Sequence, residues 1–153
     1  MSSPVIQYIT LRANVHSTEV EERVKQALNF FLDGMGIDDK KGIIETTKAE
    51  GHFGNPISIC SVNVKKRSKC KNFIPFLRHN LETKYLEELR NEIKYRLDED
   101  QTLHLRFDKQ AAFTGQAKPS SSSDAIIVKI KITTFPKNRE CAREFLEDMC
   151  GEV

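Results

Sequence analysis

Apolar residues repeat along this chain with two different periods, and the period switches from one segment to the next. Across residues 5–15, VIQYITLRANV, they alternate. Val5, Ile9, Leu11, Ala13 and Val15 define one face and Tyr8, Thr10, Arg12 and Asn14 the other, which predicts a strand half buried on a core. From Thr18 the spacing lengthens. Val20, Val24, Leu28, Phe31 and Leu32 fall on one helical stripe, Thr18 and Glu21 have capping-box spacing, and Asp33-Gly34 with Gly36 supplies a stop. A helix over about 18–32 follows.

Residues 42–48 read as a short strand, and 50–56 as a turn marked by two glycines and a proline. In 57–66 the apolar positions change parity, from Ile57 and Ile59 to Val62 and Val64. A β-bulge or burial on both faces would account for that. Ser68 can cap a helix toward Asn80 that Pro75 kinks or divides. Leu86, Leu89, Ile93 and Leu97 mark a helix over 83–97, and Asp98-Glu99-Asp100 a charged turn. A strand at 102–107 is expected to continue, past the polar triplet Asp108-Lys109-Gln110, into a second extended piece at 111–117. The polar loop 118–124 is low in complexity and expected to move. A strand follows at 125–135, with Ile126, Val128, Ile130 and Ile132 on one face and Lys129 and Lys131 on the other, and then an amphipathic helix at 138–150.

The resulting order is β-α-β-β-α-α-β-β-β-α. It predicts one α+β domain over 1–153, built as two layers: a mostly antiparallel sheet with helices packed on one face. The other face is then left open. Its outward residues are Tyr8, Arg12, His104, Arg106, Lys129 and Lys131, a basic surface with one aromatic.

Composition narrows the class. The chain has 153 residues, 39% hydrophobic and 30% charged, without an apolar run long enough to span a bilayer. Its first residues lack the features of a secretory signal, so the cytoplasm is the expected location. Cys60, Cys70, Cys141 and Cys150 form no C-x-x-C pair and read as free thiols. The net charge is only +2, but it is unevenly spread. No acidic residue lies between Glu50 and Glu82, a stretch that holds Lys65, Lys66, Arg67, Lys69, Lys71 and Arg78. Glu140, Glu144, Glu147, Asp148 and Glu152 make the end of the chain acidic.

The run KKRSKCK (65–71) has the charge density that phosphate backbones reward, and also that of a solvated strand-to-helix junction. GHFGNP (51–56) offers backbone amides with His52 and Asn55, or is simply a β-turn. His16, His52, His79 and His104 lack metal-ligand spacing, and no catalytic nucleophile or base constellation is evident. No cofactor or metal is expected. Asp108-Lys109-Gln110 is either a turn or a set of contacts to a ligand.

TLRANVHSTE (10–19), EGHFGNPI (50–57), RLDED (96–100), LRFDKQAAFTG (105–115) and DAIIVKIKI (124–132), in this order and spacing, resemble the archaeal RNA-binding protein family described as a predicted exosome subunit. The resemblance runs through nearly the whole chain. It implies a compact α+β domain similar to the 5S-rRNA-binding ribosomal protein or to double-stranded-RNA-binding domains. It also implies RNA binding and a link to RNA processing or degradation, and it brings no catalytic residues. His16, His52, Gly54, Asn55, Pro56, Arg106, Asp108, Lys109 and Gln110 occupy motif positions. Phe53 departs from the family pattern, which more often has a second histidine there, and Pro75 interrupts a region the family builds as continuous helix.

The leading expectation is a non-enzymatic RNA-binding protein. The RNA contacts would be Arg12, His16, His52, Asn55, Lys65, Lys66, Arg67, Lys69, Arg106, Lys109, Gln110, Lys129 and Lys131. Its partners would be RNA and an exosome or other RNA-processing proteins, with no membrane; a homodimer is left open. Two rivals stay open. One is an assembly module that docks through the acidic C-terminal helix, and the other a phosphoester-acting enzyme using His16 and His52. Clustering of Arg12, His52, Arg106 and Lys109 favours RNA, an apolar patch favours assembly, and a deep pocket with paired histidines favours the enzyme.

Overall fold

The structure, a computed structural model, describes residues 3–50 and 54–151. One antiparallel sheet of five strands runs in the order β2-β3-β1-β5-β4. Its strands are β1 (Val5–Val15), β2 (Glu45–Glu50), β3 (Pro56–Val64), β4 (Thr102–Phe107) and β5 (Ile126–Thr133). The helices are α1 (Glu21–Gly34), α2 (Arg67–Cys70), α3 (Phe73–Asn80), α4 (Thr83–Arg96), α5 (Lys109–Phe113) and α6 (Arg139–Gly151). No helix among the described residues is long and apolar enough to cross a membrane.

The alternation read from the sequence sets the layers. Ile9, Leu11, Ala13 and Val15 of β1, Cys60, Val62 and Val64 of β3, and Ile126, Val128, Ile130 and Ile132 of β5 are buried beneath the helices. α1 contributes Val24, Ala27, Leu28, Phe31 and Leu32 to the same core, and α6 contributes Ala142, Leu146 and Cys150. β2 is exposed at nearly every position, so the helical layer stops short of that edge. Its polar sequence, ETTKAE, suits an unprotected edge strand. Cys60, Cys70 and Cys150 are buried, Cys141 half-buried, and all four are free thiols. Burial pushes the Cys150 thiol up to about 11.

Several local expectations give way. Residues 111–117 are not a strand: α5 starts at Lys109, because the Asp108 carboxylate caps it by accepting from Ala111 N at 2.8 Å. The chain then returns past β4 through a single bridge, Phe107 to Pro119. No capping box forms at Thr18. α1 begins after Val20, no side chain caps it, and Val20 is 55% exposed. The register of β3 against β1 and β2 is unbroken, so its parity change is no bulge; Ile57 and Ile59 lie half-buried on the opposite face from Cys60. A register shift lies in β1 instead, between Ile6 and Tyr8, and turns Ile6 rather than Val5 into the core. Pro75 does divide its region, leaving α2 and α3 separate, and Ser68 caps neither. The loop 118–124 is tied down. Arg106 Nη1 donates to Ser122 O at 3.1 Å, and Asp108 N to Lys118 O at 2.8 Å.

Gly34 meets the Phe76 ring so closely that a Cβ there would fall inside the ring's van der Waals envelope. Phe76 is held edge-on by Phe30 and Phe31 and has little room to yield. Glycine-to-alanine changes in helices ordinarily stabilise by up to about 1 kcal/mol. Here overpacking reverses the sign: Gly34→Ala should cost about 1–3 kcal/mol in urea unfolding, and an unchanged or raised midpoint would contradict that packing.

Candidate nucleic-acid interface

The helices cover one face, and the register arranges the other in rows. Arg12 stands between Ser61 and Ile127, and Ile127 lies opposite Arg106. The next row is Asn63, Thr10, Lys129 and His104, and beyond it Tyr8, Lys131 and Thr102. With strands spaced about 4.8 Å apart, Arg12 and Arg106 sit roughly 10 Å from one another, with Lys129 diagonally between them. A shallow depression of about 390 Å³ runs through this face, lined in part by Thr10, Arg12, Ser61, Asn63, Ile127 and Lys129.

These cations differ in freedom. Arg106 is aimed by Ser122 O, and Lys131 donates to Asp100 O. His104 Nε2 lies 2.8 Å from Asp98 Oδ2, while Asp98 Oδ1 accepts from Thr102 N and Asp100 N. Desolvation pushes the Asp98 carboxyl up, but His104 and these two amides outweigh it and hold the group below the usual carboxylate value. Arg12 and Lys129 are exposed, and neither has an ion-pair or hydrogen-bond partner among the described residues. They are the cations of this face with nothing to surrender on meeting a phosphate.

At the end of the sheet where β1 and β4 finish, polar groups from distant segments converge. Lys109, the first residue of α5, points back over β1 with its side chain only 11% exposed. Its ammonium donates to Asn14 O at 2.9 Å, to both Glu19 carboxylate oxygens at 2.9 and 3.0 Å, and lies 2.9 Å from Asp124 Oδ1. His16 Nε2 lies 3.1 Å from the same Asp124 oxygen, and Glu19 Oε1 accepts from His16 N at 3.0 Å. His16, Glu19 and Asp124 place their ligand atoms within 4.8 Å of one another, as a cation site would. The ammonium of Lys109 already stands among the two carboxylates. Desolvation pushes Asp124 up, yet Lys109 and His16 together hold its carboxyl below the usual range. The sequence reading named His16 and Lys109 but not Glu19 or Asp124. Their signal was present, in the last residue of the V-H-x-T-E piece and in the Asp that opens DAIIVKIKI.

Gln110 is exposed on α5 and lines a cleft of about 400 Å³ against α1, with Thr18, Arg23 and Phe113 also in its wall. There the Arg23 guanidinium lies 5.6 Å from the centre of the Phe113 ring. Asn55 is exposed beside Gly54, whose φ of +76° turns the β2–β3 hairpin. Val15 pairs with Ser58, so this hairpin shares the His16 end of the sheet. His52 and Phe53 lie outside the described residues.

The run at 65–71 is elsewhere. It follows Val64 at the opposite end of β3, with Lys65, Lys66, Arg67 and Lys71 exposed. Lys69 donates to Gly36 O at 2.8 Å, while Arg67 and Lys71 border a cleft beside α6. The two basic regions therefore do not merge, though Arg12, Arg106 and Lys129 do share one surface.

Because the folded Asp124 pKa lies below its unfolded value near 3.9, its stabilising contribution is complete above that value and is lost as pH falls through the folded one. Asp124→Asn should therefore lower stability at neutral pH and flatten the acid limb of a stability–pH profile. Lys109→Met, which strands two carboxylates on one cluster, should cost about 2 kcal/mol after allowing for their partial exposure. Urea unfolding with parallel acid and neutral limbs for Asp124→Asn and wild type would contradict the pairing.

Comparison with known proteins identifies the family. A family model described as RNA binding matches residues 8–132. The chain is 34% identical over 143 residues to an RNA-binding protein of Pyrococcus abyssi, covering 91% of this chain and 92% of that one. It is 34% identical over 141 residues to an uncharacterized protein of Methanocaldococcus jannaschii, covering 89% and 91%. Among solved structures, a DUF54 protein of Archaeoglobus fulgidus superposes with a TM-score of 0.81 at 34% identity, over 95% of this chain and 99% of that one. A DUF54 protein of Methanothermobacter thermautotrophicus gives 0.75 at 32%, over 95% and 98%. With the match spanning all five strands, the chain belongs to the RNA-binding family that this model defines.

Proposed function

We propose that this protein is a non-enzymatic RNA binder that grips the sugar–phosphate backbone with the uncovered face of its sheet. The observation that carries the reading is the pair Arg12 and Lys129, exposed and unpartnered among the described residues, flanked by the pre-aimed Arg106 and Lys131. A guanidinium already fixed in direction loses less freedom on binding, and ammonium groups add sequence-independent attraction to phosphates. His16 and Asn55 supply contacts at one end of the face, Gln110 adds one from the neighbouring α1–α5 cleft, His52 is assigned a contact from the sequence motif alone, and Lys65 and Lys66 add charge beyond the other end. Lys109 acts by organising that first end and not by touching phosphate, since its ammonium is already engaged.

Tyr8 is the one aromatic predicted on this face, and it is half-buried. Single-stranded recognition relies on several stacking platforms, whereas duplex RNA is held through backbone and 2′-hydroxyl contacts. The face therefore suits duplex or folded RNA. We further propose a role as an accessory factor in RNA processing or degradation, alongside the exosome. The family resemblance supports this reading, whereas the Pyrococcus relative supports RNA binding alone; co-purification with exosome subunits checks it.

The test is binding of labelled single- and double-stranded RNA across a salt series. Wild type should prefer the duplex and show a steep salt slope. Arg12→Ala with Lys129→Ala should weaken binding and reduce the slope by about two, near one per phosphate contact. Unchanged affinity in the folded double variant, or a preference for single strands, would overturn the proposal.

A further inference from the structure

We propose that the cleft between α2, the start of β1 and α6 is a surface on which two copies of this chain pair across a two-fold axis. The cleft measures about 410 Å³, and its floor is largely carbon: Pro4, Val5, Ile6, Phe145 and Met149. Its two rims carry opposite charge.

The α2 rim presents Arg67 and Lys71, in a stretch of sequence without a single acidic residue between Glu50 and Glu82. The opposite rim is α6. Its Ala142, Leu146 and Cys150 face the core, and Phe145 and Met149 turn toward the cleft. At 100° per residue, Asp148 lies about 60° round the helix from Phe145, just past Cys141, and Glu144 about 100° round; both are exposed on the solvent side and stand outside the cleft lining itself. Arg143 takes the other two acids of this helix, at 2.8 Å to Glu140 and 2.5 Å to Glu147. That leaves Glu144 and Asp148 without an ion-pair partner among the described residues, as are Arg67 and Lys71.

An apolar strip is thus bracketed by an unneutralised basic rim and an unneutralised acidic rim. A uniformly acidic or basic partner would satisfy one rim and be repelled by the other. The same surface turned through a half-rotation satisfies both. Its acidic rim meets Arg67 and Lys71, its basic rim meets Glu144 and Asp148, and apolar side chains meet at the axis. That is the self-complementarity an isologous interface requires. The cleft lies on the helical side of the molecule at the far end of β1 from His16, so pairing leaves both sheet faces uncovered.

Sedimentation equilibrium of the RNA-free full chain tests this. Wild type should form dimers in the roughly micromolar range expected of a small interface. Reversing the acidic rim (Glu144→Lys with Asp148→Lys) or the basic rim (Arg67→Glu with Lys71→Glu) should raise the dissociation constant roughly tenfold or more. All four positions are exposed, so both variants should keep the wild-type circular dichroism spectrum. An equimolar mixture of the two reversed variants should form a heterodimer, because one then carries two basic rims and the other two acidic ones. A wild type that stays monomeric, a reversal that leaves the mass unchanged, or a mixture that fails to pair would each overturn the proposal.

Discussion

One ammonium group holds the functional end of this molecule in place. Lys109 reaches the last residues of β1 through Asn14 O, the start of the α1 approach through Glu19, and the entry to β5 through Asp124. Three segments that would otherwise fray independently are thereby fixed at one point. The arrangement is nearly closed electrostatically, with one cation and one imidazole against two carboxylates. Loss of the cation leaves a repelling pair with little solvent access on the lysine side, and that asymmetry makes the cluster structurally costly to disturb. What it fixes is the geometry around it: α5, the anchored loop 118–124, and through that loop the aim of Arg106.

The second constraint is that the core is one-sided. Most apolar positions of β1, β3, β4 and β5 lie beneath the helices, with Ile57, Ile59 and Ile127 half-buried on the other side, and no described element covers that opposite face. An uncovered sheet face must be polar to avoid aggregation, but it need not be basic. In this sheet the outward positions of β1, β4 and β5 carry Arg12, His104, Arg106, Lys129 and Lys131. Four acidic residues lie on α6, and Glu45 at the β2 edge borders the depression on this face. The molecule therefore presents different chemistry on its two sides, with phosphate-binding potential on the sheet and mixed-charge, apolar character where α2 approaches α6. The three readings left open by the sequence are weighed by that separation. Arg12 and Arg106 do share a surface, Lys109 turns instead into the Glu19–Asp124 cluster, an apolar strip does exist, and His52, on which both the full cluster and the enzyme reading depend, lies outside the described residues.

Legibility in the sequence followed the range of the interactions. β5, α4 and the order of the layers could be read because each depends on a period carried by its own residues. So could the open face, since alternation alone decides which side a strand residue takes. α5 was missed because Asp108, Lys109 and Gln110 look like a turn. The signal that decides the matter is the Asp108 cap three residues before Ala111, followed by a run of helix-tolerant residues. Thr18 shows the reverse error, a correct capping spacing that the helix does not use: α1 begins at Glu21, whose carboxylate pairs with Lys25. The ion cluster joins residues 90 and 108 positions apart, and no local pattern announces such a contact. Motif membership marked two of its members without indicating that they were bonded to each other.

The most direct measurement is an amide NMR titration of isotope-labelled protein with duplex RNA. Perturbations concentrated on the outward positions of β1, β4 and β5, around Thr10, Arg12, Arg106 and Lys129, are the predicted result. A sheet that stays silent while α4 and α6 respond would contradict the assignment of the uncovered face as the RNA surface.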